Sequence, residues 1–200
     1  MVTIDSKDIE AARKSLSHIS NGIERAISAA INHSLGKAKT SLKRKVREEY
    51  FIKDSDVEKT LKTKKSTIST LSGTIISTST RTALSKFNVK TSSSGLTVAI
   101  KKGTGRVPVT GKPILYGKPF LAKFKTGHIG VMQRKTEKKQ RVAKGEWKSP
   151  MQELFTLSIP QMLGNPSVQN YIEEYASDLV QNRFYHEVDR LIRGIKWLEK

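Results

Sequence analysis

Residues 120–134 read FLAKFKTGHIGVMQR, and their pattern is that of two β-strands joined by a tight turn. Phe120, Ala122 and Phe124 alternate with the residues between them, which is the period-two pattern of a half-buried strand. After residues 126–128 the run 129–134 resumes a strand pattern, and Gly127 supplies the turn. We therefore predict an antiparallel hairpin, with Phe120 and Phe124 pointing into the core.

The residues around this hairpin are typical of further short strands and loops. Ser, Thr and Ile predominate from Ser66 onward, which favours strands at 74–79 and at 96–100, the second after a Ser-rich turn at 92–95. The segment 101–119 contains four Gly and three Pro, which predicts a long loop. Residues 135–148 are polar and strongly basic, and we predict a loop there as well.

Helical periodicity precedes this β-rich middle. Apolar residues recur at spacings of three and four from Ile9 to Val46, which predicts a short helix followed by a longer one, with a kink near Gly22. Residues 55–58, SDVE, have the pattern of a capping box. They predict a short helix that continues to about Lys64.

The C-terminal part returns to a helical pattern. Ser167 is predicted to cap a helix that runs to about residue 196, with an apolar stripe formed by Val168, Ile172, Tyr175, Leu179, Phe184, Val188, Leu191 and Ile195. The predicted fold class is therefore α+β, with a long N-terminal helix, a small mainly antiparallel β-sheet and a long C-terminal helix. Two hundred residues suit one domain, 1–200, with a helical N-terminal part (1–65), a basic β-sheet region (66–148) and a C-terminal helical part (149–200).

The charge of the chain is strongly positive and unevenly distributed. The sequence contains 37 Lys and Arg against 18 Asp and Glu, a net charge of +19. Residues 66–148 carry seventeen basic residues and two acidic ones, whereas 1–30 and 149–200 are close to neutral. Such segregation favours a surface for a polyanion or an acidic protein over a merely solubilising face. The predicted contact residues are Lys101, Lys102, Arg106, Lys123, Lys125, Arg134, Lys135, Lys138, Lys139 and Arg141.

No catalytic or metal-binding motif is recognisable. The absence of cysteine excludes disulfides, thiolate catalysis and cysteine-ligated metals. The four His are scattered, and the adjacent Glu pairs 48–49 and 173–174 diverge on their predicted helices. We predict no enzymatic activity, cofactor, metal or small-molecule substrate. Because the sequence has no export signal and no apolar membrane span, we expect a soluble intracellular protein with no membrane partner.

Three stretches, in the same order along most of the chain, are similar to a known family. They are GIERAISAAIN at 22–32 leading into KRKVR at 43–47, the hairpin 120–128 with VMQR at 131–134, and PMQELFTLSIPQML at 150–163. In this respect the chain resembles the phage minor tail protein Z family, the tail-completion or neck proteins of long-tailed phages and prophages.

This resemblance implies a structural role in the virion. It implies tail completion and head–tail joining by a homo-oligomeric ring at the neck, sixfold being favoured, around the DNA path, with assembly in the host cytoplasm. The implied partners are tail-terminator and head-connector proteins, with DNA in the channel. The residues expected to hold the subunit fold are Val131, Met132, Gln133, Arg134, Phe155, Ser158 and Pro160. The alternative is a free cytoplasmic DNA- or RNA-binding protein that uses the basic hairpin surface.

Overall fold

The computed structural model describes residues 2–141 and 147–196, and it contains helices and short antiparallel strands. The α+β prediction is therefore confirmed, including the long helices in the N-terminal and C-terminal parts. The residues cluster into two compact units, one of Met1–Lys45, Glu58–Thr78 and Leu163–Lys200, the other of Val46–Val57 and Ser79–Met162. The single-domain division of the chain stays a prediction.

Helices lie towards both ends of the chain, and most of the short strands lie between them. The helices are α1 (Ser6–Ser15), α2 (Gly22–Glu49), α3 (Asp54–Glu58), α4 (Ile159–Leu163) and α5 (Pro166–Lys196). The strands are β1 (Leu61–Lys64), β2 (Thr74–Ser77), β3 (Arg81–Ala83), β4 (Asn88–Ser92), β5 (Gly95–Ala99), β6 (Val107–Pro108), β7 (Tyr116–Lys123), β8 (Ile129–Arg134), β9 (Gln140–Arg141), β10 (Trp147–Lys148), β11 (Met151–Glu153) and β12 (Phe155–Ser158).

The core of the first unit lies between its helices. Phe184 of α5 is completely buried and belongs to a cluster with Ala12, Leu16, Ile23, Ala26, Ile27 and Ala30. The small side chains on α2 leave room for this ring, whose burial stabilises the unit by roughly 2–3 kcal/mol. The apolar stripes predicted on the N-terminal and C-terminal helices are buried or half-buried where their side chains are described.

The two N-terminal helices are separated by a turn rather than by a kink. α1 ends at Ser15, α2 begins at Gly22, and Asn21 between them has a left-handed φ of 52°. A Cβ at Gly22 would lie 3.0 Å from the Cβ of Ile19 and 3.2 Å from the carbonyl oxygen of Leu16. Glycine is therefore favoured at this position because the turn packs closely against the first residue of α2.

The predicted helix from 55 to about Lys64 is wrong beyond Glu58. α3 ends at Glu58, and residues Leu61–Lys64 form strand β1, which pairs with β2 in the register Leu61↔Ser77. The long-range ladder supplies hydrogen bonds that a local capping pattern does not anticipate. Asn32 of α2 fixes the chain that follows β1, because its side-chain amide donates to the carbonyl of Ser66 at 2.9 Å and accepts from the Ser66 N–H at 2.8 Å.

The second unit contains the predicted hairpin. β7 and β8 pair in the register Leu121↔Val131, and Gly127 in the turn has a φ of 83°. Strand β11 extends this pair into the sheet β11-β8-β7. Phe120 and Phe124 are half-buried and alternate with the exposed Leu121, Lys123 and Lys125, so the predicted alternation is present although neither ring is fully enclosed. Phe120 pairs in register with the buried Met132 of β8.

Two predicted loops contain short strands. Within 101–119, β6 pairs with β5 in the register Thr97↔Pro108, and β7 begins at Tyr116. A proline is compatible with β6 because this strand lies at the edge of the sheet β4-β5-β6. Within 135–148, β9 pairs with β10, and the intervening residues 142–146 lie outside the described residues.

The C-terminal helix begins one residue before the predicted cap. Pro166 is its first residue, and the side chain of Asn165 accepts a hydrogen bond from the Ser167 N–H at 3.1 Å. Asn165 is therefore the capping residue, and Ser167 is not. Strands β3, β11 and β12 and helix α4 carry no strong local signal and were not predicted.

Candidate interaction surface

The basic residues of the β7–β8 hairpin and of the segment after it are exposed. This group, called the hairpin basic group below, comprises Lys123, Lys125, Arg134, Lys135, Lys138, Lys139 and Arg141. In the part of the chain that the structure describes, none of these seven side chains forms an ion pair with a carboxylate. Their charge therefore faces solvent without local neutralisation.

The register of the hairpin determines how these charges are distributed. Lys123 pairs with Ile129 at the turn end, whereas Arg134 pairs with Tyr116 at the other end, roughly 15–20 Å along the six-residue strand. The two side chains project from opposite faces, because positions of different parity on a strand alternate. The guanidinium of Arg134 lies over the ring of Phe120, 5.8 Å from its centroid. The structure thus places Arg134 at the opposite end of the hairpin from Lys123.

Three of the predicted contact residues lie on the loop after β5, and two of them are engaged within the unit. The Arg106 guanidinium donates to the carbonyls of Asn88 at 2.8 Å and Thr97 at 3.1 Å, and to the Thr97 hydroxyl at 3.2 Å. Lys101 is half-buried, with its ammonium 3.9 Å from a Glu49 carboxylate oxygen. Lys102 is exposed, and its ammonium lies 5.6 Å from the ring centroid of Phe51.

Several basic residues elsewhere are paired with carboxylates. Lys39 and Lys43 both contact Glu58, and their hydrogen bonds hold the pKa of that carboxyl below its usual range. Lys86 pairs with Asp56 at 2.5 Å. These ion pairs involve basic residues outside the hairpin basic group.

A buried acidic group in α5 gives the clearest example of local neutralisation. The Glu187 side chain is 3% exposed and lies 2.6 Å from Arg183 and 2.7 Å from Arg190. Burial alone would raise its pKa, but the Arg190 hydrogen bond and the charges of both arginines outweigh burial, so the pKa is lowered. The site therefore holds an ionised carboxylate inside the first unit.

The stretch VMQR contributes mainly buried side chains. Val131, Met132 and Gln133 are buried, and only Arg134 is exposed. The Gln133 amide accepts from the Lys112 N–H at 2.8 Å and donates to the Gly117 carbonyl at 2.9 Å. It thereby fastens the loop before β7 to strand β8.

The predicted fold-holding residues of the third stretch lie on β12 and α4. Phe155 is 46% exposed and pairs in register with Ala83 of β3. The Ser158 N–H donates to the Gln161 side chain at 2.9 Å, and the Gln161 N–H donates to the Ser158 hydroxyl at 3.4 Å. This reciprocal pair is a capping box at the start of α4, with Pro160 in the first turn, where its missing N–H has no partner to lose.

A second basic surface, on α2, was not predicted from the sequence. His33, Lys37 and Arg44 follow one another at helical spacings of four and seven and line a groove in the first unit. The helical spacing of these three residues is visible in the sequence. The net charge of α2 is much smaller than that of residues 66–148, so the charge count did not single out this helix. The structure shows that α5 lies beside this face of α2, and the two helices together form the groove.

Neither a metal site nor a membrane span is found within the described ranges. No group of three or more His, Asp or Glu side chains there could hold a metal ion. His128 contacts Glu153 at 3.1 Å, and its ring stacks on Phe124. Of the helices in those ranges, none combines the length and apolar character needed to cross a membrane.

Comparison with known proteins gives one family. The family model described as prophage minor tail protein Z (GPZ) matches residues 6–193, which is nearly the whole chain. No curated protein and no solved structure gives a significant match. The matched range includes the second compact unit, most of the first and all seven residues of the hairpin basic group.

Proposed function

We propose a specific assembly role for this chain, which belongs to the prophage minor tail protein Z family. As a member it is a structural protein of the phage tail, located in the virion. Within that role we assign it to tail completion and head–tail joining, as a ring of copies at the neck around the DNA path. Tail-terminator and head-connector proteins are its partners in this proposal, which involves no enzymatic step and no cofactor.

The observation that supports this proposal is the unpaired charge of the hairpin basic group. Double-stranded DNA presents one phosphate charge about every 1.7 Å of its axis, so several copies arranged around one duplex would contact it without reading its sequence. Arg106 already donates to backbone carbonyls within its own unit, so we restrict the principal contacts to the seven-residue group and Lys102. Lys101 and Arg106 then position the loop after β5.

A phage carrying a charge-reversal variant tests the proposal. We would replace four residues of the group together, Lys135→Glu, Lys138→Glu, Lys139→Glu and Arg141→Glu. The matched control reverses four exposed lysines of the first unit, Lys7, Lys14, Lys62 and Lys64. The control changes the net charge of the chain by the same amount.

We expect the hairpin variant to yield tails and DNA-filled heads that are not joined or not infectious, as seen by electron microscopy and plaque titre. The control phage should remain within about threefold of wild type. Equal titres for the hairpin variant and wild type would contradict contact through this surface. Normal virions from a deletion of the gene would contradict the assembly role itself.

Binding to duplex DNA in dilute solution distinguishes the alternative of a free nucleic-acid-binding protein. A free binder with about six phosphate contacts should show a log–log dependence of affinity on salt with a slope near −5. A neck protein should bind only weakly as a separate subunit, because its surface acts when several copies surround one duplex. Tight binding by a monomer at physiological salt would favour the alternative.

A further inference from the structure

A groove runs along one face of α2 beside α5 in the first unit. His33, Lys37, Thr40, Ser41 and Arg44 line it from α2, at positions that share a helix face, and Tyr175 lines it from α5. It is an open groove with a volume of about 400 Å³. The lining combines cationic side chains with hydroxyl groups and with the aromatic ring of Tyr175.

The Lys37 ammonium in this groove has no carboxylate partner. Within the residues that the structure describes, neither Lys37 nor His33 forms an ion pair with an acidic side chain. On another face of the same helix, Lys39 and Lys43 are both held by Glu58. The chain therefore pairs the lysines of one face of α2 and leaves Lys37 cationic in the groove.

Hydrogen bonds fix the geometry at one end of the groove. The Arg44 guanidinium donates to the Tyr171 hydroxyl at 3.1 Å, and the hydroxyls of Ser41 and Tyr171 lie 2.9 Å apart. The ring of Tyr171 stacks on that of Tyr175, with centroids 6.0 Å apart. Arg44 is thus oriented before any ligand arrives, which reduces the entropic cost of binding.

Gly36 leaves the middle of the groove open. A Cβ at this position would have no atom within 4 Å, so packing does not require glycine there. Glycine in a helix interior costs about 1 kcal/mol relative to alanine. The missing side chain gives a ligand access to the space between Lys37 and Thr40.

We propose that this groove binds a phosphate oxyanion, held by the Lys37 ammonium, the Arg44 guanidinium and the hydroxyl of Tyr175. Charge-assisted hydrogen bonds from several donors are the usual basis of phosphate binding in proteins. The site lies in the first unit, whereas the hairpin basic group lies in the second. It is therefore independent of the proposed role of the hairpin in assembly.

The imidazole of His33 provides a reporter for this site. Its pKa is lowered by partial desolvation and by the charges of Arg183, Lys37 and His186, while Glu187 acts in the opposite direction. An oxyanion bound in the groove would offset the positive potential and raise the His33 pKa.

The experiment is an NMR pH titration of the histidines in the full chain, with His33 assigned by a His33→Gln variant. Titrations in inorganic phosphate, in dimethyl phosphate and in chloride are compared at equal ionic strength. We expect the His33 midpoint to move to higher pH in phosphate and not in chloride. A response to dimethyl phosphate as well indicates a nucleic-acid backbone as the source, and a response to inorganic phosphate alone indicates a free phosphate or a monoester. Identical His33 titrations in all three salts would overturn the proposal.

Two substitutions at Gly36 provide a matched pair. Gly36→Glu introduces a carboxylate into the groove and should weaken phosphate binding at least tenfold, whereas Gly36→Ala should retain it. Lys37→Gln, at an exposed position, gives a second measurement and should also weaken binding. Equal phosphate responses in Gly36→Glu, Lys37→Gln and Gly36→Ala would show that the groove is not the site.

Discussion

The side-chain amide of Gln133 is bonded to the backbone of Lys112 at two points. Its Oε1 accepts from the Lys112 N–H at 2.8 Å, and its Nε2 lies 3.3 Å from the Lys112 carbonyl oxygen. Gln133 is 2% exposed, so these backbone groups meet the amide away from water. A Cβ at Gly111 would lie 2.7 Å from the same Oε1, which requires the loop to have glycine at its closest approach.

Replacing Gln133 by Leu should therefore destabilise the protein. The leucine keeps most of the volume but leaves the Lys112 N–H and the Gly117 carbonyl without their partner, at a cost of about 1–3 kcal/mol. Urea unfolding followed by circular dichroism measures the change. Gln152→Leu is the matched control, since Gln152 is the register partner of Gln133 on β11 and is only half-buried. If Gln133→Leu lowers the free energy of unfolding no more than Gln152→Leu does, the stabilising role of the Gln133 amide is contradicted.

The Asn32–Ser66 contact should stabilise the first unit in a comparable way. Asn32→Ala removes both hydrogen bonds to the Ser66 backbone and should lower the free energy of unfolding by about 1–2 kcal/mol. Hydrogen exchange at the Ser66 amide should accelerate more than exchange in α5. Asn170→Ala, at an exposed position on α5, should change stability by less than about 0.5 kcal/mol. Unchanged hydrogen-exchange protection of the Ser66 amide in Asn32→Ala would contradict a stabilising role for these two hydrogen bonds.

The buried carboxylate of Glu187 should make stability depend on pH in the acid range. Because its folded-state pKa lies below the ordinary value of 4.5, the unfolded chain binds the proton more readily. The contribution is thus fully present above the unfolded-state pKa and is lost as pH falls through the folded-state pKa. Stability curves of wild type and Glu187→Gln should differ at pH 7 by about 1–3 kcal/mol and converge as the pH falls through the folded-state pKa.

Asp189→Asn is the control for that comparison. Asp189 pairs with Arg193 at 2.9 Å, but both side chains are largely exposed, so the substitution should change stability by less than about 0.5 kcal/mol. A gap between wild type and Glu187→Gln that stays constant from pH 7 to pH 3 would exclude an ionised Glu187 as its cause.

Two glycines of α2 should respond oppositely to alanine. Gly36→Ala should stabilise the protein by about 1 kcal/mol, because the new methyl group has free space and the helix gains propensity. Gly22→Ala should not stabilise it, since the new Cβ would lie 3.0–3.2 Å from atoms of Leu16 and Ile19. Thermal unfolding of both variants tests this. An equal rise in Tm for the two would contradict the close approach at Gly22.

The sequence predicted those elements whose signal is local. The hairpin 120–134 combines a period-two pattern with a turn glycine, and the terminal helices have long apolar stripes, so each was recognisable without its neighbours. Strand β1 was mistaken for a helix because Leu61–Lys64 forms its ladder with β2, more than ten residues further along the chain. Strands β11 and β12 were missed for the same reason, since their partners β8 and β3 are distant in sequence.

For the interaction surface, the sequence supplied the identity of the charges and the structure supplied their partners. The count of seventeen basic residues within 66–148 is a property of composition. Which of these residues have partners depends on which segments pack together. Arg106 is bonded to the backbone of Asn88, whereas Lys135 is exposed and has no carboxylate partner among the described residues. The family was recognisable from the sequence, because the ordered stretches that carry the resemblance lie within the matched range 6–193.

The chain by itself therefore determined the fold class, the excess of positive charge, the absence of cysteine chemistry and the family. The tertiary structure alone decided which cations are neutralised, as with Lys39 and Lys43 at Glu58, and which are left available, as with Lys37 in the groove beside α5. The physical reason is that backbone periodicity is set by neighbours in the chain, whereas pairing a charge depends on atoms within a few ångströms in space.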